Sequence, residues 1–557
     1  METKVIVVGA SISACMSAAY MKIKNPEWNV IMIGKSDQTH PIVGESLTEY
    51  STYFLHEIGL GRYLEDNHYH KYGLSFYFKE DIENPECRRY AVHEANAIPP
   101  MPANLINRFD FDKIILKRCI EVGVKFIEGK AQDLKVIDQN KYEVAYKTDE
   151  GFTGTFTCDA LVDASGRSRW LSRRLGLKKK DVMHQRNCFW FWVADFDRSL
   201  LENIEAVKEK QHAFDSYYVT HHFMSKGAWN WVIPIISNEY KDFVSIGMTW
   251  RPDLVDSPVT NMEEYLIHMK KEHPVLAEMV ESGTIEKAHV YSNYMYDTEQ
   301  IYSRDGWFLL SDAGCTVDPL YSTGIVMTAI QSTQINEMIR MKVKNQLNQD
   351  YVDAMQGSLT TVRGALQGEI GDLYSTIADP YQSQWRIHFS SAWYFYSLLP
   401  LWLCKFMINK DGANWVKNFI MSRRASYMNL LALLPKASSK LGKVKAERLR
   451  NLYDISVNWS LWGPQEKKLE KYVSRMYYLF AQFRYQIFKD SGWADPINQV
   501  AYITKDLCTA FYYRFIFKFK KLIDPADSMK NFELIEELPM VKDEYVIELE
   551  ERLVSNM

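Results

Sequence analysis

The chain has 557 residues, of which 47% are hydrophobic and 14% aromatic, and its formal net charge is −4. This length suffices for one large domain or for roughly two or three medium ones, each with a buried core. The nearly balanced charge argues against a nucleic-acid-binding protein, which usually carries a basic excess on one domain. The eight cysteines form no C-x-x-C pair, so we expect no metal site, no disulfide framework and a cytoplasmic location.

The apolar segment at residues 5–20 resembles the hydrophobic part of a secretory signal. Glu2 stands where positive charge should dominate, and strand-forming Val and Ile precede helix-forming Ala and Met. We therefore predict a strand followed by a helix. No stretch reaches the roughly 20 uninterrupted apolar residues of a membrane span, so no membrane association is expected.

The first elements predict a βαβ unit: a strand at residues 4–9, a helix at 12–23 and a strand at 30–33. This pattern indicates a doubly wound α/β domain. Later segments return to the same sheet, with a helix at 111–119, strands at 124–127, 161–166 and 307–310, and a helix at 324–343.

Residues 188–294 alternate between apolar and polar positions, which predicts an inserted, largely antiparallel sheet. Beyond about residue 345 the sequence is helical and aromatic. We therefore predict a first domain at 1–345, with the inserted lobe, and a mainly helical region at 346–557.

The turn after the first strand carries a degraded dinucleotide-binding motif. Gly9 is present, but Ser11 and Ala14 stand at the second and third glycine positions. The acidic residue that normally ends the second strand is replaced by Gly34 and Lys35. This turn alone fits dinucleotide binding and an α/β domain with another ligand equally well.

The segment Trp229-Asn-Trp231-Val-Ile233-Pro234 is the most informative one. Two Trp residues two apart on a strand point to one face, and two tryptophans of an ordinary core would do the same. With Ile and Pro also in place, the segment matches the W-x-W-x-I-P motif of flavin-dependent halogenases. The chain resembles this family, which has an FAD-dependent monooxygenase-type fold, over about residues 4–340. The resemblance implies that these four residues separate the flavin from the substrate and prevent direct hydroxylation.

The segment Ser322-Thr323-Gly324 follows Pro319 and begins a predicted helix, whose first amides are free to hold an anion. An ordinary capped helix, or a flavin contact without halide, would have the same sequence. The resemblance implies that Thr323 and Gly324 hold the halide beside the flavin, and that Gly324 also contacts the cofactor.

A single lysine is a surface lysine by default, and Lys79 is a nearby alternative. Lys71 is singled out because Lys71-Tyr-Gly-Leu-Ser-Phe76 resembles the family's segment around its catalytic lysine. Tyr321 departs from the family pattern, because tryptophan halogenases carry there a glutamate that assists the lysine. The aromatic and polar pattern that grips indole in those enzymes is not recognisable here, so a phenol, a pyrrole, free indole or another electron-rich arene is a better candidate substrate than tryptophan.

Further cofactor contacts follow from the resemblance. Glu45 and Ser46 match the family's G-E-[AS] segment, and Asp312 lies in a segment whose Asp contacts the flavin ribityl chain. Arg108 stands where such flavoproteins carry a cofactor-contacting arginine. Its alternative is a solvated arginine at the start of a helix.

The expected function is therefore that of an FAD-dependent halogenase. Reduced FAD, oxygen and a halide ion would form hypohalous acid, which is relayed to Lys71 and halogenates an aromatic substrate held by residues 346–557. No NAD(P)H site is evident, so a separate flavin reductase is the expected partner, and the chain would be a monomer or homo-oligomer. The alternatives are an FAD-dependent aromatic monooxygenase and a flavin-binding protein without halide chemistry.

Overall fold

The computed structural model describes residues 2–36, 42–94, 101–138, 141–179, 182, 184–208, 214–256, 258–441 and 469–518. The chain divides into two compact units, each made of three segments. Unit 1 comprises Met1–Tyr69, Ile106–Gln185 and Asn293–Gln367, and unit 2 comprises His70–Leu105, Arg186–Ser292 and Gly368–Met557. The domain boundary drawn from the sequence at residue 345 stays a prediction.

The strands of the described residues are, in chain order, β1 (Lys4–Val8), β2 (Asn29–Gly34), β3 (Tyr69–His70), β4 (Leu74–Lys79), β5 (Tyr90–Glu94), β6 (Asn104–Leu105), β7 (Lys125–Asp138), β8 (Lys141–Thr148), β9 (Thr153–Cys158), β10 (Ala160–Asp163), β11 (Asn187–Ala194), β12 (Thr220–Ser225), β13 (Ala228–Pro234), β14 (Val244–Trp250), β15 (Thr284–Tyr291) and β16 (Trp307–Leu309).

The helices before the C-terminal region are α1 (Ile12–Lys24), α2 (Glu49–Glu57), α3 (Gly61–Asn67), α4 (Arg108–Glu121), α5 (Trp170–Arg174), α6 (Ser199–Glu202), α7 (Glu205–Lys208), α8 (Met262–Glu272), α9 (Pro274–Ser282) and α10 (Thr323–Val343). They are followed by α11 (Gln349–Leu373), α12 (Pro380–Trp393), α13 (Leu399–Leu403), α14 (Lys410–Leu431) and α15 (Leu434–Leu441), and then by two helices at Leu469–Asp490 and Pro496–Phe511.

Unit 1 is built on a seven-stranded sheet in the order β16-β10-β1-β2-β7-β8-β9. The pairs from β16 to β7 are parallel, and β8 and β9 extend the sheet in antiparallel fashion. Strand β1 is apolar and buried from Val5 to Val8, as a central strand covered on both faces requires. The strand order reverses at β1, and ligands of doubly wound sheets bind at the carboxyl ends of the strands at such a point.

Unit 2 contains a second seven-stranded sheet in the order β15-β11-β14-β13-β12-β4-β5, antiparallel except for the parallel pair of β12 and β4. One face packs against α8 and α9: the Tyr265 hydroxyl donates to Asn230 at 3.3 Å, and the His273 ring lies 5.5 Å from that of Phe223. The predicted inserted lobe supplies five of these strands. Strands β4 and β5, which come from residues before it, were not predicted.

After β16, the described part of the chain contains helices and no further strand. The fold class predicted from the sequence, a doubly wound α/β domain with an antiparallel lobe and a helical C-terminal region, is confirmed. Within the described ranges, no helix combines the length and the apolar character that crossing a membrane requires.

Candidate active site

The turn between β1 and α1 lies at the point where the strand order of unit 1 reverses. Gly9 has φ +128°, and a Cβ there would lie 2.3 Å from the carbonyl oxygen of Ala164, which follows β10. Only glycine therefore fits. Ser11 precedes the helix without capping it through its side chain, and Ala14 is fully buried. The turn thus keeps its close approach to the sheet and offers helix amides to a phosphate, despite the missing glycines.

Arg108 begins α4 and is buried. Its guanidinium binds the Asp112 carboxylate through two bonds of 2.7 and 2.8 Å and donates to the carbonyl oxygen of Val43 at 2.9 Å. A Cβ on Gly44 would lie 2.8 Å from the same guanidinium. Arg108 is therefore buried and paired, and the alternative of a solvated arginine is wrong. Arg108 anchors the loop before Glu45, and its contact with the cofactor stays a prediction.

This loop is joined to the start of α10. The backbone of Ile106 donates to the carbonyl oxygen of Glu45 at 2.7 Å, and the hydroxyl groups of Ser46 and Ser322 lie 3.1 Å apart. The structure therefore brings together, within unit 1, the G-E-S segment, the arginine and the S-T-G segment that the sequence singled out separately.

The start of α10 has an unusual backbone. Ser322 adopts the left-handed conformation (φ 55°, ψ 35°), and its side chain does not cap the helix. Thr323 donates its hydroxyl to the carbonyl oxygen of Asp318 at 3.3 Å. A Cβ on Gly324 would meet no heavy atom closer than 3.8 Å, so space is left beside it. Strained backbone of this kind concentrates at functional sites.

Two aspartates lie at the carboxyl ends of neighbouring strands: Asp163 is the last residue of β10, and Asp312 follows β16. Asp163 accepts bonds from the backbone of Ser165 and Leu171 at 2.9 and 2.7 Å, so it closes its own turn. Asp312 is half-buried, and burial raises its pKa to about 6, against an opposing effect of Arg167. Asp312 rather than Asp163 is therefore suited to receive a ligand hydroxyl.

Lys71 belongs to unit 2 and is only 4% exposed, unlike a typical surface lysine. Its backbone donates to Ala103 at 2.8 Å, and the next residue, Tyr72, stacks on Phe214 with ring centroids 4.7 Å apart. Burial lowers the pKa of His222 to about 3, and the Lys71 charge contributes to that decrease. Lys71 is thus a buried lysine whose charge acts on His222.

The alternative lysine lies elsewhere. Lys79 donates to the carbonyl oxygen of Lys271 in α8 at 3.2 Å, and its charge helps to lower the pKa of His273. Lys79 is therefore associated with the face of the sheet that α8 and α9 cover.

The other face carries Trp229 and Trp231, and we call it the tryptophan face. Their ring centroids are 5.6 Å apart, which confirms the predicted common orientation. The Trp229 indole donates to the Tyr374 hydroxyl at 2.8 Å, and the Trp231 indole donates to the Ser245 hydroxyl at 3.2 Å. His222 lies 5.5 Å from Trp229. Both indoles are thus buried and held in fixed orientations.

Strand β13 ends at Pro234, which pairs with Val244 of β14. The backbone of Ile235 donates one further hydrogen bond to Phe243 at 2.9 Å. Ile233 is buried and, two residues after Trp231, points to the same face. Lys71, Trp229, Trp231, Ile233 and Pro234 thus lie in unit 2, and the predicted cofactor and halide residues lie in unit 1.

Gly247 makes the position of Trp231 possible. A Cβ there would lie 2.2 Å from the Trp231 ring and 2.6 Å from the Cβ of Trp190. We expect Gly247→Ala to lower the free energy of unfolding by about 1–3 kcal/mol because the indole must move. Denaturant unfolding monitored by tryptophan fluorescence measures this change. Gly364→Ala, where a Cβ meets nothing within 4 Å, is the control, and an equal effect of both would contradict the prediction.

Two residues of this face were missed from the sequence. His222 lies in a strand that carries no recognised motif. The only sequence feature that sets it apart is the pair His221-His222 among mainly apolar neighbours. Tyr374 follows α11 in a region that matches no motif. Both are defined by contacts between distant segments, which no local pattern encodes.

Comparison with known proteins identifies the family. A model described as tryptophan halogenase matches residues 87–367, roughly half of the chain. The flavin-dependent halogenase chlA of Dictyostelium discoideum is 26% identical over 434 residues, which cover 72% of this chain and 71% of that protein. A 1H-pyrrole-2-carbonyl-[peptidyl-carrier protein] chlorinase of Pseudomonas fluorescens is 26% identical over 49% of this chain and 57% of its own length.

Among solved structures, halogenase PltM in complex with phloroglucinol and FAD has a TM-score of 0.59 and 16% identity, over 85% of this chain and 96% of that chain. This likeness supports the fold. The chain belongs to the tryptophan halogenase family and is a flavin-dependent halogenase. The membership confirms the enzyme class and the FAD cofactor expected from the sequence, and the monooxygenase alternative is not supported.

Proposed function

We propose that this protein uses reduced FAD, oxygen and a halide ion to form hypohalous acid, and then transfers the halogen to an electron-rich aromatic substrate. One observation carries the proposal: Lys71 is buried and its charge acts on His222, whose ring lies 5.5 Å from that of Trp229 in the family motif. A buried lysine is unexpected in an ordinary core, and a lysine in this setting suits the transfer of an oxidised halogen.

The residues of unit 1 fit FAD. Gly9, Ser11 and Ala14 form a tight turn whose helix amides suit the diphosphate. Asp312 would accept a hydrogen bond from a ribityl hydroxyl. The loop of Glu45 and Ser46, anchored by Arg108, would line the cofactor, and Gly324 would leave room for it.

The halide would bind at the backbone amides of Thr323 and Gly324. The Ser322 side chain turns away to Ser46, so it does not compete for these amides. An anion at the start of a helix is favoured by the free N–H groups and the helix dipole. Bound reduced FAD, together with oxygen, supplies the two-electron oxidation that converts the halide into hypohalous acid.

Trp229, Trp231, Ile233 and Pro234 would keep the organic substrate away from the flavin. The indole N–H groups of Trp229 and Trp231 are already bonded within unit 2, so these two side chains offer apolar ring surface and no free donor. Excluding water and substrate from the oxidation step prevents side reactions. The hypohalous acid would then be relayed to Lys71.

At Lys71 two routes are open. The ammonium group can donate a hydrogen bond to the hypohalous acid oxygen and stabilise the departing hydroxide. Alternatively, the neutral amine can exchange a proton for the halogen and carry it as a haloamine. In either route the ring's π electrons form the new carbon–halogen bond, and the former bonding pair of the halogen stays with the leaving oxygen or nitrogen. The ring proton then leaves, which restores aromaticity. His222 stays neutral because of its low pKa and adds no competing positive charge.

The substrate and partners remain proposals. The P. fluorescens relative is named for a pyrrolyl substrate on a carrier protein, and the PltM structure contains phloroglucinol. We propose a phenol or another electron-rich arene here, bound by residues 346–557, with reduced flavin delivered by a separate reductase. A cytoplasmic location is part of the same proposal.

The test supplies chemically reduced FAD, oxygen and bromide to the purified protein with a panel of arenes. A reactive 1,3-diketone serves as a trap for hypobromous acid. We expect brominated arenes and no product when bromide is omitted. Oxygenated products together with NAD(P)H oxidation by the protein alone would instead identify a hydroxylase.

A further inference from the structure

A row of aromatic side chains crosses the tryptophan face. The strand register places Trp231 opposite His222, His222 opposite Phe76, and Phe76 opposite His93. Residues opposite each other on paired strands share a face. The Phe76 ring stacks on His222 at 4.7 Å and lies 6.2 Å from His93. The row therefore leads from Trp231 on β13 to His93 on the edge strand β5.

Helix α12 covers the far end of this row. The His388 ring meets the His93 ring edge-on, with centroids 4.7 Å apart. Gln384 precedes His388 by four residues and so lies on the same face of the helix. His388 is 2% exposed and Gln384 is fully buried.

These two side chains have unused hydrogen-bonding atoms. Nε2 of His388 and both amide atoms of Gln384 have no hydrogen-bond partner among the described residues. Buried polar groups are nearly always hydrogen-bonded, so three such atoms on one helix face are available to bind a ligand. Burial also lowers the pKa of His388 to about 4, so the imidazole is neutral near pH 7.

We infer that His388 and Gln384 bind the hydroxyl group of a neutral aromatic substrate at the far end of the row, which positions the ring over Phe76 with its reactive carbon toward Lys71. A hydroxyl donates one hydrogen bond and accepts others, and an amide with a neutral imidazole offers the complement. A ring N–H only donates, so a pyrrole or indole would leave an amide donor unpaired. The inference rests on the proposed function and names its substrate class.

The dimensions agree with this arrangement. Two strand spacings, about 10 Å, separate the strand of His222 from that of His93. That length accommodates one aromatic ring with a polar contact at each end. The row contains Phe76 and His222, whose pKa of about 3 keeps its imidazole neutral near pH 7, and it provides an aromatic surface on which the ring can stack.

The first experiment measures binding to the full-length protein by calorimetry, without turnover. Resorcinol and 1,3-dimethoxybenzene are the probes, because methylation replaces the hydroxyl donors by methyl groups and keeps the oxygen acceptors. We expect resorcinol to bind at least about tenfold more tightly, the equivalent of one hydrogen bond. His388→Phe and Gln384→Leu should abolish this difference, and His388→Asn should restore part of it. Equal binding of both probes, or undiminished resorcinol binding by His388→Phe, would overturn the inference.

A matched control is His273→Phe, which replaces another buried histidine on the opposite face of the same sheet. It should leave the preference for resorcinol unchanged. Loss of the preference in this variant as well would show a general packing effect and would also overturn the inference.

A turnover experiment distinguishes a failure of this inference from a failure of the proposed function. With reduced FAD, oxygen and bromide, His388→Phe should raise KM for resorcinol about tenfold while the diketone trap reports unchanged hypobromous acid formation. If the unaltered protein forms no hypobromous acid, the proposed function fails, and the calorimetric comparison still decides the role of His388 and Gln384. If the unaltered protein forms hypobromous acid and His388→Phe keeps the original KM for resorcinol, the inference fails while the proposed function stands.

Discussion

Replacing Lys71 with alanine is expected to lower arene halogenation by about 10²–10³-fold while hypohalous acid formation continues. The reason is that Lys71 would act after the oxidation step, by stabilising the leaving hydroxide or by carrying the halogen, and removal of one such group typically costs this much. The measurement follows brominated arene by mass spectrometry and hypobromous acid by the diketone trap in the same reactions.

The control for this variant is Lys79→Ala. Lys79 is also buried but is bonded to α8 on the opposite face, so its loss should affect stability and leave product formation intact. Lys71→Arg distinguishes the two chemical routes. It should keep part of the activity if a cation only donates a hydrogen bond, and none if a haloamine is required. Full arene halogenation by Lys71→Ala would refute the assignment of this residue.

Gly324→Pro is expected to raise KM for bromide about 10- to 100-fold, because proline removes one of the two amides proposed to hold the halide. A hydrogen bond to a charged group contributes roughly 1.5–3 kcal/mol, which corresponds to this range. Proline is tolerated in the first turn of a helix, so α10 should still form. The rate of hypobromous acid formation at increasing bromide concentrations gives the value.

Gly324→Ala is the matched variant, since it retains the amide and its Cβ would meet no heavy atom within 3.4 Å. Its KM for bromide should stay much closer to that of the unaltered protein. Thermal unfolding of both variants shows whether the helix start is intact. Equal KM values for bromide in both variants would place the halide elsewhere.

Much of the fold could be predicted because the strands and helices of unit 1 can be recognised from short stretches of sequence. Strand β1 is a continuous apolar run, and α1 is rich in small residues. Short apolar runs also mark β10 and β16. For the sheet of unit 2, the sequence predicted only the strands within residues 188–294. Strand β4 was missed because its partner β12 lies far along the chain, and pairing at such a distance leaves no trace in local periodicity. Strand β5 joins the same sheet through β4 and was missed with it.

The candidate site was predictable where a motif exists. Trp229 and Trp231 share a face because a strand has a period of two, which the sequence alone dictates. The surroundings of Lys71 were not predictable in the same way. His222, Tyr374 and His388 come from segments without motifs, and only tertiary packing brings them to the tryptophan face.

The parallel pairing of β4 with β12 has a consequence for how the protein matures. Parallel neighbours cannot be joined by a tight hairpin, so a long stretch of chain must be synthesised and looped back before Lys71 acquires its neighbours. Until then its hydrophobic surroundings are exposed to self-association. Slow expression at reduced temperature should therefore increase the yield of soluble, competent enzyme more than it increases total protein.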